Sequence, residues 1–308
     1  ARRGLNRHPC EITPMLTRQQ AWALIALTLM WGLNWPIMKL SLQELTPLYF
    51  RSSTMMLGAM WLFVYFHRKG LRMWPRGNEW WIIVGLGIPN ILGWHTMSVM
   101  GVSLLPSGRS AILGFTMPIY TVLFGALLFK QPLTKRAGLA VACVLATIGL
   151  LTWHELTNIS GSPAGILWME GAALSWALGT LLMRRVPFEL RPEVLTVWMM
   201  LLSSLVIWAL AIKLEPVTSI ATFSGQMWLT LVYAVVFNYG YAQVIWFGMA
   251  RDLPPATSAM SIMAVPVIGT ITATFIVGEV PHWQDLLAMV FGVTAIAAVL
   301  MPPKKTTT

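Results

Sequence analysis

Stretch after stretch of this chain is apolar for about twenty residues, with only short loops between. The stretches run over residues 21–38, 47–66, 80–100, 107–129, 137–153, 164–183, 194–212, 227–249, 256–277 and 283–301. Hydrocarbon offers no partner to a backbone amide, so such a stretch is stable there only as a helix that bonds internally. Charge tells the same story: 10% of the residues are charged, against roughly a quarter in a soluble domain. The net charge of +10 raises the question of nucleic acid, but the basic residues sit in short loops rather than on one face. Membrane lipids, and no nucleic acid, are the expected surroundings. Residues 1–18 are polar and basic and read as a tail. The first stretch lacks a small-residue cleavage site and is expected to be retained. Cys10 and Cys143 are the two cysteines, one in the tail and one in a span. They give no disulfide framework and no metal spacing, and no cofactor or metal is implied.

The chain also repeats itself. Residues 105–131 return as residues 253–279 at an offset of 148, matching Leu105, Pro106, Ser110, Ala111 and Pro118 to Leu253, Pro254, Ser258, Ala259 and Pro266. At the same offset Trp80 and Asn90 meet Trp228 and Asn238, and Leu139 and Ala140 meet Leu287 and Ala288. Trp31, Leu33, Met38, Leu45, Pro47 and Met55 find counterparts 145 residues on. Each half then holds five spans. Five is odd, so the second half enters the bilayer upside down. The expected fold is an all-α integral membrane protein, ten transmembrane helices in two inverted five-helix repeats. Residues 20–153 and 154–302 form the repeats, and 1–19 and 303–308 are tails. A proline near the middle of both matched spans breaks or kinks the helix, and a broken helix repeated in both halves points to a central solute site.

Lys and Arg bias sets the orientation. One side carries Arg18, Arg68, Lys69, Arg72, Arg76, Lys130, Lys135, Arg136, Arg184, Arg185, Arg191 and Arg251, with both tails; the other carries Lys39, Arg109 and Lys213. Both termini are therefore expected in the cytoplasm.

Trp31-Gly32-Leu33-Asn34 in the first span, Pro47 followed by Arg51 in the second, mid-helix Pro118 and Pro266, Gly138 and Gly149 around the fifth span, and Gly278-Glu279 after the ninth together form a pattern. It resembles the drug/metabolite transporter superfamily, specifically the ten-helix EamA-type exporters, from Arg18 to Met301. The resemblance implies a multi-pass protein of the bacterial inner membrane that exports amino acids, with a preference for aromatic ones, and takes aromatic cations. One departure stands out: the family's Gly-Glu after the fourth span is Lys130-Gln131 here.

Polar groups inside spans are costly unless paired, which makes them site candidates. Asn90 and Asn238 stand in matched helices with His95 and Gln243 five residues further on. Two readings are open for them: contact with a zwitterionic solute, or bonding of backbone freed by nearby breaks. His95 reads either as a satisfied interior histidine or as a proton relay. Trp31, Asn34, Trp35 and Met38 share one helical face. Trp31 and Trp35, with Trp94, Trp176, Tyr239, Tyr241 and Trp246, lie away from the span ends where belt tryptophans gather. They serve either helix packing or the stacking of a solute's ring. Ser110 and Ser258, matched beside the two prolines, complete the candidate solute contacts. Arg51, Arg109 and Glu170 are expected to form a structural or gating salt bridge, Arg109 with Glu170 or Arg51 with Glu44; contact with a substrate carboxylate is the other reading. Pro118 and Pro266 read as hinges or as static kinks. Gly138, Ala142 and Ala146, and Ala288 with Gly292, form rows suited to close helix packing within a chain or between protomers. The reading is an exporter, a monomer or weak homodimer, with a small-molecule substrate and alternating access around a midplane cavity. Broad metabolite or drug efflux is the alternative. HExxH, paired intramembrane carboxylates and a nucleophile with its base are all missing, which disfavours an enzyme.

Overall fold

The computed structural model describes residues 17–158, 161–186, 189–249 and 255–300, and the side chains of these except 246–262 and 300. Every regular element among the described residues is helical. In chain order they are α1 (Arg18–Ser41), α2 (Pro47–Arg68), α3 (Glu79–Leu104), α4 (Ser107–Phe129), α5 (Lys135–Thr157), α6 (Pro163–Met183), α7 (Pro192–Leu214), α8 (Gly225–Met249), α9 (Pro255–Ile276) and α10 (Trp283–Leu300). Among the described residues seven helices are long and apolar enough to cross a membrane: α1 and α3 to α8. Met263–Ile276 and Trp283–Val299 add shorter apolar helices.

Local chemistry sets the ends. Thr17 accepts from the Gln20 amide while the Gln20 side chain answers the Thr17 amide, a reciprocal cap that starts α1. Thr134 and Ser224 cap α5 and α8 in the same way through one bond each. Prolines 47, 163 and 192 occupy the first turn of α2, α6 and α7, where a missing N–H costs nothing.

The helices pack as α1 on α8 and α9, α2 on α7 and α8, α3 on α6 and α7, α4 on α6 and α9, and α5 on α10. Exchange every helix n of the first five with n+5 and the same pairs return: α1–α9 becomes α6–α4, α1–α8 becomes α6–α3, and α2–α8 becomes α7–α3. The α3–α6 seam is the tightest. A Cβ on Gly93 would stand 2.0 Å from the Ser175 hydroxyl, and one on Gly101 would stand 2.5 Å from the Met169 sulfur. Gly138 and Ala142, by contrast, are exposed. The α5–α10 contact runs instead through the buried Thr147, whose hydroxyl donates to the Ala288 carbonyl at 3.2 Å.

Two departures from regular α-helix fall in the same register. Ile88–Gly93 in α3 and Tyr233–Tyr241 in α8 are π-helical; the first holds Asn90 and the second holds Asn238. The two proline helices differ, however. α4 breaks after Gly114 and resumes at Met117, with Pro118 in the new first turn. α9 runs on through Pro266. On the α4 side Thr116 donates twice to the Leu113 carbonyl, through its amide at 3.1 Å and its hydroxyl at 2.7 Å. Its counterpart 148 residues on is Ala264, which has no such hydroxyl.

Candidate functional site

The middle of the bundle gathers the aromatic and amide candidates. Trp94 and Trp176 meet edge to face with centroids 5.3 Å apart, across the α3–α6 seam. Trp31 is half-buried against the core, and Trp35, buried, meets Phe115 edge to face at 6.4 Å. Asn34 and Gln243 are half-buried, Asn238 is buried, and none of their side chains makes a hydrogen bond among the described residues. Asn90 is buried and donates to the Leu86 carbonyl at 3.0 Å, so it serves the backbone that the π-turn frees. It also presses on α6 so closely that a Cβ on Gly179 would stand 2.4 Å from its side chain. Ser175 donates to the Pro89 carbonyl at 2.9 Å. Ser110 is fully buried and bonds the Pro106 carbonyl at 3.1 Å, which leaves its hydroxyl engaged with its own helix. Tyr241 is 56% exposed. The side chains of Trp246 and Ser258 lie outside the described residues.

The expected pairings of the charged candidates do not form. Arg109 pairs with Asp285 and Glu155 instead of Glu170: its Nε and Nη2 reach the two Asp285 oxygens at 2.7 and 3.0 Å, and its Nη1 donates to Glu155. Packing decides this, since α10 lies against α5 and delivers Asp285 beside Glu155. All three side chains are nearly buried. Glu170 faces α4, where the Tyr120 and Thr116 hydroxyls donate to it. Glu44 reaches the start of α8 and accepts from the Ser224 amide and hydroxyl at 2.8 and 2.5 Å, which holds its carboxyl below the usual range. Arg51 donates to the Tyr239 hydroxyl at 2.6 Å and to the Met38 sulfur at 2.7 Å.

At the end of the bundle where α4 begins and α9 finishes, Arg109, Glu155, Asp285, His154, His282 and Glu279 line a cavity of about 280 Å³. The His154 and His282 rings face each other with centroids 4.7 Å apart. Glu279 follows Gly278, whose φ of +72° is the left-handed turn that ends α9. Its carboxylate accepts from the Ser107 amide at 2.7 Å, the Ser107 hydroxyl at 3.0 Å and the Gly108 amide at 3.1 Å. A carboxylate at a helix N-terminus suits both the orphan amides and the helix dipole. Glu279 thus ties the finish of α9 to the start of α4. Lys39 donates to the Val102 and Ser103 carbonyls at the end of α3. The matching position in the first half, Gln131, is exposed and its side chain makes no hydrogen bond among the described residues.

The opposite, basic end holds a second cavity of about 650 Å³, lined among the described residues by Met60, Trp61, Val64, Tyr65 and Arg68 of α2 and by Lys69 just after it. Trp61 and Tyr65 stack there at 5.4 Å with 7° between planes. Sequence reasoning missed these residues and the acidic-end cluster. Their signals are faint: an i, i+4 aromatic pair for the first, single acids at the ends of spans for the second.

A bundle of long apolar helices with charged clusters at its ends and buried polar groups between is a multi-pass membrane protein. The EamA-like transporter family matches residues 20–153 and again residues 163–301, so the chain belongs to that family. The uncharacterized transporter YoaV of Bacillus subtilis is 24% identical over 248 residues, 80% of this chain and 84% of YoaV. The uncharacterized inner membrane transporter YedA of Escherichia coli K12 is 24% identical over 280 residues, 91% of this chain and 89% of YedA. A Salmonella typhimurium protein named as a probable amino-acid metabolite efflux pump is 23% identical over 279 residues, 86% of this chain and 89% of that protein. A crystal structure with 20% sequence identity superposes with a TM-score of 0.62, covering 92% of this chain and 96% of the other.

Proposed function

We propose that this chain is a secondary carrier of the bacterial inner membrane that exports amino acids, preferring aromatic ones, through a site at the bilayer midplane. Ten crossings in two inverted repeats, residues 20–153 and 154–302, with the tails at 1–19 and 303–308 in the cytoplasm, form its frame. The observation that carries the reading is the exchange symmetry of the helix packing, together with π-turns at matched positions that each hold an asparagine. Two halves related in this way give two near-equivalent arrangements, each open to one side, and alternating access is the exchange between them. The Glu279 tie on α4, beside a Gln131 side chain that makes no hydrogen bond among the described residues, supports an arrangement with the acidic end closed and the basic end open to the cytoplasm. Pro118 and Pro266 are the hinges, and Trp31, Asn34, Trp94, His95, Trp176, Asn238, Tyr239 and Gln243 face the solute.

The Trp94–Trp176 pair and the Trp61–Tyr65 stack support aromatic preference, since rings gain from edge and face contacts beyond area alone. The Salmonella relative's name supports amino acids as the class. A resemblance to the bacterial aromatic amino-acid exporter known as YddG agrees with both. The same rings suit aromatic cations, which is the observation favouring broad efflux as the second reading. Counterflow into proteoliposomes separates the two. Vesicles preloaded with unlabelled phenylalanine are expected to accumulate labelled phenylalanine and tryptophan saturably. Accumulation of aromatic cations with none of amino acids favours broad efflux, and a non-saturating leak contradicts a carrier.

A further inference from the structure

Arg51 is 4% exposed, inside a helix of a membrane bundle, and no carboxylate among the described residues lies within ion-pairing distance of it. A guanidinium never sheds its proton in a protein, so this is a standing positive charge. Its partners are neutral: a phenol and a thioether, the latter a weak acceptor. Its Nε–H is buried with no acceptor. Beside the tyrosine that Arg51 bonds stands His95, whose ring lies 5.8 Å from the Tyr239 ring. The His95 Nδ1 is likewise buried without a hydrogen-bond partner. Two orphaned polar atoms on the neighbours of one tyrosine, where the other buried arginine among the described residues has two carboxylates, call for an anion that the described residues do not provide.

Four helices hold these groups still. Met38 comes from α1, Arg51 from α2, His95 from α3 and Tyr239 from the π-turn of α8. Tyr239 is itself wedged on Gly58, where a Cβ would stand 2.4 Å from the tyrosine Cβ. The guanidinium is therefore oriented in advance, with the two bonds to Tyr239 and Met38 fixing its plane and the Nε edge left over. A planar fork of N–H donors matches a carboxylate better than a spherical or tetrahedral anion.

We propose that Arg51, assisted by His95 and oriented by Tyr239 and Met38, binds the carboxylate of the transported amino acid. This rests on the amino-acid reading above and names the group that the site recognises. The carboxylate would supply the missing counter-charge only while substrate is bound.

The test is equilibrium binding of labelled phenylalanine to the purified full-length protein, with phenethylamine, the same molecule without its carboxylate, as competitor. A desolvated charge-assisted bond predicts that wild type prefers phenylalanine to phenethylamine by about tenfold to a hundredfold. Arg51→Met is expected to lose that preference, weakening phenylalanine and leaving phenethylamine within about twofold, while Arg51→Lys keeps part of it. Phenylalanine binding by Arg51→Met equal to wild type overturns the site alone. So does equal loss of both ligands by a folded Arg51→Met, which marks a structural cation. If Arg51→Met does not fold, Arg51→Lys decides: a preference for phenylalanine over phenethylamine kept in whole or in part supports an ionic contact, and equal loss of both ligands counts against it. Wild type that binds no amino acid overturns the amino-acid reading first.

Discussion

Replacing Arg109 with Met removes one cation and strands two carboxylates. Asp285 is held by two parallel bonds and Glu155 by one, with side-chain exposures of 8% and 5%. Breaking a buried pair from one side costs about 3–5 kcal/mol, because the remaining charge stays desolvated. At roughly 2–4 °C per kcal/mol for chains of about this size, the melting temperature in detergent is expected to fall on the order of 10 °C, followed by tryptophan fluorescence. The cause is specific, so the cure is too. Arg109→Met combined with Glu155→Gln and Asp285→Asn removes the stranded charge and is expected to recover most of the loss, since neutral groups of similar volume replace a buried ionic cluster at little cost. A single Arg109→Met that melts with wild type refutes the argument. A triple variant less stable than the single one refutes it as well, by showing that shape rather than charge holds this end together.

Other expectations follow from the same geometry. Glu279→Gln keeps one acceptor oxygen but loses the charge at the α4 N-terminus; cysteines near Ser107 should label faster from the acidic end, and Gln131→Glu should slow labelling at the basic end. Gly179→Ala drives a methyl into Asn90 and is expected to cost about 1–3 kcal/mol, read as a lower melting temperature, whereas Gly138→Ala, with nothing within 4 Å, is expected to be silent. Glu44 has its carboxyl depressed first by the Ser224 hydroxyl and then by the Ser224 amide; its hold on the start of α8 is therefore complete above the ordinary carboxylate range and lost as pH falls through the depressed value. Amide exchange at Ser224 should accelerate only below that range. Pro118→Ala with Pro266→Ala should slow counterflow, and unchanged transport removes the hinges.

The all-helical membrane fold and the matched places of Asn90 and Asn238 were legible in the sequence because apolar length and an offset are one-dimensional facts. The partners of Arg109 were not, because Glu155 and Asp285 come from helices 46 and 176 residues away and only the α5–α10 contact brings them together. Glu44 went astray for a similar reason: it lies seven positions from Arg51 in the chain, yet it caps α8, 180 residues on. Matching prolines suggested matching breaks, but α4 breaks just before Pro118 while α9 runs on through Pro266, and the residue two before the proline differs, Thr116 against Ala264. For Asn90, both open readings were physically sound and can coexist; its bond to the Leu86 carbonyl is the contact that the backbone reading expects.

Inversion of the halves is what the whole account leans on, and side-specific labelling of two loops tests it directly. In a chain with Cys10 and Cys143 replaced by Ser, Leu133→Cys and Val280→Cys place one thiol after α4 and one after α9, both at exposed positions. A membrane-impermeant maleimide is expected to label Val280→Cys in intact cells and Leu133→Cys only after the membrane is opened. Labelling of both from the same side contradicts the inverted repeat, and with it the carrier built on it.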